Sequence, residues 1–189
     1  MTSDLARFKD ALNRTLGANS NSIQRILDIG CGRGEECLAL RELFERADIV
    51  AIDLDEDAAR AAGSLLSTAS RIEVVHGNAI TLAGNAATHN YDLIVARHPD
   101  VDRRPQNWIN VLRFMSDHVS ATGTIVLTAY TVPEATFVNN YMESLGHVLL
   151  DGSPYSAVPV AMTGADRYVL LYRSLSASLM VSSGDTTNA

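Results

Sequence analysis

The first hydrophobic pattern along the chain has helical spacing, and short continuous apolar runs follow it. Leu5, Phe8, Leu12 and Leu16 recur every three or four residues, which predicts an amphipathic helix. Beyond the polar residues 17–22, apolar runs that end in glycine or polar residues predict buried strands. Strands are predicted at 25–29, 48–54, 71–75, 91–96 and 123–130, and helices at 35–46, 55–67, from Pro105 onward, and at 133–145.

The alternation of strands and helices stops near the end of the chain. Residues 147–150 and 168–173 form two further apolar runs, joined by a loop rich in Gly, Pro and Ser. Strands joined without a helix can pair antiparallel, whereas alternating strands and helices form a parallel sheet covered on both faces. The pattern predicts an α/β fold with a seven-stranded, mostly parallel sheet, an antiparallel last strand and a flexible tail at 174–189. Ligands of such sheets bind at the carboxyl ends of the strands, near the reversal in strand order.

Composition narrows the class of protein. A chain of 189 residues fits one domain, and its net charge of −7 makes a nucleic-acid partner unfavourable. Cys31 and Cys37 are too few for a disulfide framework and do not have the spacing of a common zinc site. We therefore expect two reduced thiols, no metal and a cytoplasmic protein. The sequence shows neither a signal peptide nor an apolar run long enough for a membrane span.

The strongest local signal is a glycine-rich turn between the first strand and the next helix. Gly30, Gly32 and Gly34 would let the backbone turn sharply and approach a ligand closely. Dinucleotide sites use G-x-G-x-x-G, which would require a small residue where this chain has Glu35. The charges of Glu35 and Glu36 also favour an uncharged or cationic ligand over a diphosphate. The alternative is a tight turn that binds no ligand.

Asp53 closes the second predicted strand, at the same edge of the sheet as the glycines. A carboxylate there can accept two hydrogen bonds from the vicinal hydroxyls of a ribose. The alternative is that Asp53 caps the following helix. Asp55 is equally suited to that role, which leaves Asp53 available for a ligand.

The run Asp-Ile-Gly-Cys-Gly-Arg-Gly at 28–34, with Asp53 after the second strand, resembles the class I S-adenosylmethionine-dependent methyltransferases. The similarity in organisation extends over residues 23–173. It implies a three-layer Rossmann-like sandwich, S-adenosylmethionine as cofactor, and an N-terminal segment, 1–22, whose helix folds over the cofactor as a lid.

The resemblance also implies roles for individual residues. Gly30 and Gly32 would line the methionine part of the cofactor, and Asp28 would hold its amino end. Leu54 would pack on the adenine, and Asn78 would accept a hydrogen bond from the adenine amino group where the family often has an acid. The full implied cofactor set is Asp28, Gly30, Cys31, Gly32, Asp53, Leu54, Asn78, Ala79 and Arg97.

The segment after the fourth strand carries the candidate chemistry. Arg-His-Pro-Asp at 97–100 replaces the Asn- or Asp-Pro-Pro-aromatic motif of nucleobase amino methyltransferases. His98 could act as the general base, and Arg97 could bind a carboxylate or phosphate of the substrate. The alternative is that Arg97 pairs with Asp100 or Asp102 while His98 caps a turn.

Aromatic residues could complete the substrate pocket. Tyr130 ends the fifth strand and is a predicted substrate-binding residue together with Arg97 and His98, whereas Trp108 could line the pocket or belong to the core. We expect direct SN2 methyl transfer to a small-molecule acceptor. The alternatives are a protein or RNA methyltransferase of the same fold, and a binding module or partner subunit without transfer activity.

Overall fold

The structure, a computed structural model, describes residues 3–81, 90–97, 99–151 and 168–175. Its helices are α1 (Ser3–Leu16), α2 (Glu35–Leu43), α3 (Glu56–Leu65), α4 (Pro105–His118) and α5 (Val132–Ser144), with a 3-10 turn at Gly17–Ser22. Its strands are β1 (Arg25–Ile29), β2 (Asp48–Asp53), β3 (Ile72–His76), β4 (Tyr91–Ala96), β5 (Val119–Ala129), β6 (His147–Asp151) and β7 (Tyr168–Ser174).

The strands form one seven-stranded sheet in the order β3-β2-β1-β4-β5-β7-β6. Strands β1 to β5 pair in parallel, and β7 is antiparallel to both of its neighbours, β5 and β6. The predicted sheet and its antiparallel last strand are therefore confirmed. Because the strand order reverses between β1 and β4, the carboxyl ends of β1, β2 and β4 meet at one edge, where a ligand is expected.

Strand β5 starts earlier than the sequence predicts. It begins at Val119 rather than at Gly123, because the register with β4 shifts between Tyr91 and Leu93. A side chain at Gly123 would lie 2.8 Å from the Tyr91 carbonyl oxygen, so the glycine serves a close backbone approach inside the strand rather than a turn before it. Strand β7 also extends to Ser174, the first residue of the predicted tail, whose residues 176–189 lie outside the described part.

Helix α1 is packed into the core on one face of the sheet. Its predicted apolar residues are at most 5% exposed, and Phe8 and Leu12 are fully buried. They form one hydrophobic cluster with Leu40 of α2 and with Val95 and Leu171 of the sheet, while α4 and α5 cover the opposite face. A lid role for the 1–22 segment stays a prediction, and any closure must be compatible with this packing. Among the described helices, none has the length and apolarity that crossing a bilayer requires.

Candidate functional site

The glycine turn after β1 has one packed side and one open side. The backbone N–H groups of Gly30 and Cys31 both donate to the Ile52 carbonyl oxygen, at 2.7 and 3.1 Å, which fixes the turn to β2. Gly34 has a φ of 87°, and a Cβ there would lie 3.1 Å from the Cβ of Ala62 in α3. At Gly30, with a φ of 77°, an added Cβ would meet no atom within 4 Å. The turn therefore leaves room beside Gly30 for a ligand.

Asp53 joins the glycine turn to the end of β2. Its Oδ2 accepts a hydrogen bond from the Gly32 N–H and its Oδ1 accepts one from the Asp55 N–H, both at 2.8 Å. Helix α3 is capped by Asp55, whose Oδ1 accepts from the N–H groups of Asp57 and Ala58. Asp53 is therefore not the side chain that caps this helix. Each of its carboxylate oxygens retains a lone pair that can accept a further hydrogen bond.

A cavity of about 200 Å³ opens beside this carboxylate. Leu54 lines it and is 67% exposed. Asn78 lines it too, and its Oδ1 accepts a hydrogen bond from the Ile80 N–H at 3.0 Å. Trp108 forms part of the wall and also packs against the core, whereas its predicted place in the substrate pocket stays a prediction. Among the described residues, the wall consists of Ile29, Gly30, Ile52, Asp53, Leu54, Gly77, Asn78, Ala79, Asp100, Arg104, Asn107, Trp108 and Val111.

The residues of the implied cofactor set fall into two groups. Five of them line this first cavity: Gly30, Asp53, Leu54, Asn78 and Ala79. The other four do not line it, although Gly32 is bonded to Asp53. The Cys31 side chain is buried against α3, and Asp28 and Arg97 belong to a buried polar cluster.

The buried polar cluster consists of charged side chains from β1, α2 and the end of β4. Arg97 Nη1 donates to Glu36 Oε2 at 2.9 Å, and these side chains are only 9% and 7% exposed. The Cys37 thiol donates to Asp28 Oδ2 at 3.1 Å, and Asp28 is fully buried. The Phe8 ring of α1 lies against the guanidinium, 5.0 Å from ring centre to Cζ. The cluster therefore connects α1 to the strand that leads into the glycine turn.

Two buried carboxyl groups facing one guanidinium favour a shared proton. Burial raises the pKa of Asp28 to about 6, and burial together with the Asp28 charge raises the pKa of Glu36 well above its usual value. Asp28 Oδ1 and Glu36 Oε1 are both buried without a hydrogen-bond partner among the described residues. One proton held between the two carboxyl groups would satisfy both oxygens and balance the charge of Arg97.

The observed partner of Arg97 differs from the one that the sequence offered. The guanidinium pairs with Glu36 rather than with Asp100 or Asp102. Asp100 instead lies 3.9 Å from Nε of Arg103, at the surface. The sequence reasoning treated Glu36 only as a charge near the turn and missed its place in the site.

A second, larger cavity of about 440 Å³ lies at the ends of β4 and β5. Tyr130, predicted to line the substrate pocket, lines this cavity and is 39% exposed. Glu134 belongs to the capping box of α5, where its Oε2 accepts from the N–H groups of Tyr130 and Thr131. Asp100 lines both cavities, so the two adjoin. The predicted general base, His98, lies outside the described residues.

Comparison with known families identifies the fold that carries these cavities. The family model of the methyltransferase domain matches residues 26–123, which is more than half of the chain. The chain belongs to this family. Its Rossmann-like sheet is that of the class I S-adenosylmethionine-dependent methyltransferases, as the glycine turn and Asp53 predicted.

Solved structures with the same fold come from methyltransferases with different acceptors. N-methyltransferase NodS from Bradyrhizobium japonicum has 16% sequence identity and a TM-score of 0.66, with 90% of this chain and 95% of that chain covered. An rRNA methylase from Streptococcus thermophilus has 13% identity and a TM-score of 0.67, with coverages of 93% and 98%. Mitomycin 7-O-methyltransferase MmcR has 14% identity and a TM-score of 0.60, with 89% of the present chain covered. The present chain spans only 54% of the length of MmcR. At such identities the likeness establishes the fold alone.

Proposed function

We propose that this methyltransferase domain transfers the methyl group of S-adenosylmethionine to a small-molecule acceptor by direct displacement. The observation that carries the proposal is a pair of adjoining cavities at the edge where the strand order reverses. The first cavity suits a nucleoside, and the second, at about 440 Å³, has the size of an ordinary small-molecule pocket. The net charge of −7 favours a small acceptor over a nucleic acid.

The residues of the first cavity fit S-adenosylmethionine. Asp53 would accept hydrogen bonds from the ribose hydroxyls through its remaining lone pairs. Leu54 would cover the adenine ring, which would explain why this apolar side chain is exposed. The open side of the turn at Gly30 would admit the methionine part without a steric clash.

The chain contributes positioning rather than covalent chemistry. Bound S-adenosylmethionine supplies a methyl carbon on a positively charged sulfur, and an acceptor lone pair bonds to this carbon while the C–S electron pair stays with sulfur. Alignment in adjoining cavities can supply part of the ~7–11 kcal/mol available from fixed geometry. An acceptor that carries a proton would release it to water or to His98, the predicted general base.

Calorimetry with S-adenosylmethionine and its demethylated product, S-adenosylhomocysteine, tests the cofactor part. Asp53→Ala should weaken binding by at least about ten-fold, because hydrogen bonds to a charged acceptor contribute about 1.5–3 kcal/mol each. Asp57→Ala removes a carboxylate that is 90% exposed and lines neither cavity, so it should leave the affinity unchanged. Undiminished binding by Asp53→Ala would refute the site.

A methyl-transfer assay tests the acceptor part. The donor carries a labelled methyl group, and separate reactions contain a metabolite panel, ribosomal RNA and a protein mixture. Transfer to a member of the panel supports the proposal. Transfer only to RNA or protein would contradict the small-molecule acceptor, and tight cofactor binding without any transfer would indicate a binding module.

A further inference from the structure

The second cavity has an excess of negative charge. Among the residues that the structure describes, its charged lining consists of three carboxylates, Asp100, Asp102 and Glu134, and one guanidinium, Arg103. Arg103 approaches Asp100 to 3.9 Å and offsets one of these negative charges, and water screens its exposed side chain as it screens the exposed Asp102. An anionic acceptor would be repelled by this lining, whereas a cation would be attracted.

Glu134 supplies a buried acceptor that the fold itself leaves partly unused. The residue is only 4% exposed and lines the cavity. Its Oε2 accepts from the N–H groups of Tyr130 and Thr131, at 2.8 and 3.1 Å. Its Oε1 accepts no hydrogen bond from any residue in the described ranges 3–81, 90–97, 99–151 and 168–175. Oε1 is not among the fully buried unpartnered atoms of the described residues, so it keeps some solvent access, and a ligand in the cavity can donate to it.

The remaining wall also suits a cation. The Tyr130 ring lines the same cavity, and the face of an aromatic ring attracts cations through its quadrupole. Arg97, which the sequence offered as the receptor of an anionic substrate, is ion-paired with Glu36 inside the buried cluster and lines neither cavity. The charges that the described residues bring to the acceptor cavity are therefore mainly negative.

We propose that the second cavity binds the ammonium group of a small amine-bearing acceptor, with Asp102 and Glu134 accepting from its N–H groups and the Tyr130 ring against the charged group. An ammonium group has three N–H donors, and the carboxylates accept them. The inference rests on the proposed methyl transfer, because the cavity serves as the acceptor pocket of that reaction. It concerns recognition of the cationic group, whichever atom of the acceptor receives the methyl group.

Three probes that share a phenylethyl group and differ in their terminal group test this selectivity: 2-phenylethylammonium, 2-phenylethanol and 3-phenylpropionate. Each is titrated by calorimetry into the full chain saturated with S-adenosylhomocysteine, at low and at high salt. We expect the ammonium to bind most tightly and the carboxylate least, with a preference that shrinks as salt screens the charges. Equal or weaker binding of the ammonium relative to the alcohol, or no measurable binding of the ammonium, would overturn the proposal.

Substitutions locate the effect in the cavity. Asp102 is exposed, so Asp102→Asn removes no buried contact and should weaken ammonium binding by about two- to five-fold, the range of an exposed ion pair. Asp102→Lys should abolish the preference for the ammonium. The matched control is Asp117→Asn, which makes the same charge change at an exposed position of α4 outside both cavities and should leave binding unchanged. Equal losses in Asp102→Asn and Asp117→Asn would overturn the assignment.

The same titrations separate this inference from the proposed function. If S-adenosylhomocysteine binds and Asp53→Ala weakens it, but the ammonium is not preferred, only the acceptor class is wrong. If S-adenosylhomocysteine does not bind, the proposed function fails. The ammonium series in the unliganded chain then shows whether the cavity still selects a cation, and loss of selectivity there overturns the inference as well.

Discussion

The proton held in the buried cluster has a measurable effect on stability. Because burial raises the pKa of Glu36 well above its usual value, the folded chain keeps a proton that the unfolded chain releases above about pH 4.5. The stabilisation that the retained proton provides is therefore fully present below the pKa of Glu36 in the unfolded chain. It is lost as pH rises toward the pKa of Glu36 in the folded chain. One retained proton corresponds to a loss of about 1.4 kcal/mol in the free energy of unfolding for each pH unit.

Glu36→Gln isolates this effect. The amide carries no titratable proton, but its oxygen can still accept from Arg97 and its N–H can still donate to the unpartnered oxygen of Asp28. The difference in unfolding free energy between the variant and the parent chain should therefore shift in favour of the variant as pH rises. The expected shift is about 1.4 kcal/mol for each pH unit between the unfolded and the folded pKa of Glu36.

Urea unfolding followed by circular dichroism at several pH values provides the measurement. Groups outside the cluster contribute to both chains and largely cancel in the difference, whereas Asp28 titrates together with Glu36, so the difference reports the proton of the pair. Glu45→Gln, which changes an exposed glutamate, should show a difference that does not depend on pH. A pH-independent difference for Glu36→Gln as well would refute the retained proton.

Three further predictions concern the neighbourhood of the first cavity. Asp55→Ala removes the cap of α3 and should lower the free energy of unfolding, measured in urea titrations, by about 1 kcal/mol. The control Asp57→Ala should lower it by less, and equal losses of unfolding free energy in the two variants would contradict the capping role. Gly34→Ala would force a side chain to a φ of 87° against α3, so its melting temperature should fall, whereas Gly63→Ala has free space in a helix and should gain up to about 1 kcal/mol. Trp108 is the chain's single tryptophan and lines the cavity, so its fluorescence should change when S-adenosylhomocysteine binds; unchanged emission at saturation would place the ligand elsewhere.

Most elements could be predicted because their signals are local. The predicted bounds of β1 and the predicted start of α4 at Pro105 agree with the structure. The start of β5 was placed four residues too late, because residues 119–122 join the strand through a register shift against β4 that the sequence pattern does not show. The positions of the glycine turn and of Asp53 could also be predicted, since each lies at the end of a strand.

The partners inside the site were harder to predict because they are distant in sequence. Glu36 and Arg97 are 61 residues apart, and they meet only because β4 is placed beside β1. One signal was available: Glu36 lies four residues before Leu40, on the buried stripe of α2, and a charge on such a stripe indicates a buried partner. The meeting of Asp100 with Glu134 at one cavity likewise depends on the order of the sheet.

The first cavity takes its walls from chain segments between Ile29 and Val111, so no short fragment contains it. A partly folded chain that has lost β1, β2 or the start of α4 therefore loses the pocket as well. Any ligand of this pocket binds only the completely folded chain. It therefore raises the free energy of unfolding, by about 2.7 kcal/mol when the free ligand is at 100 times its dissociation constant. The survival of the chain against proteolysis should consequently follow the supply of that ligand.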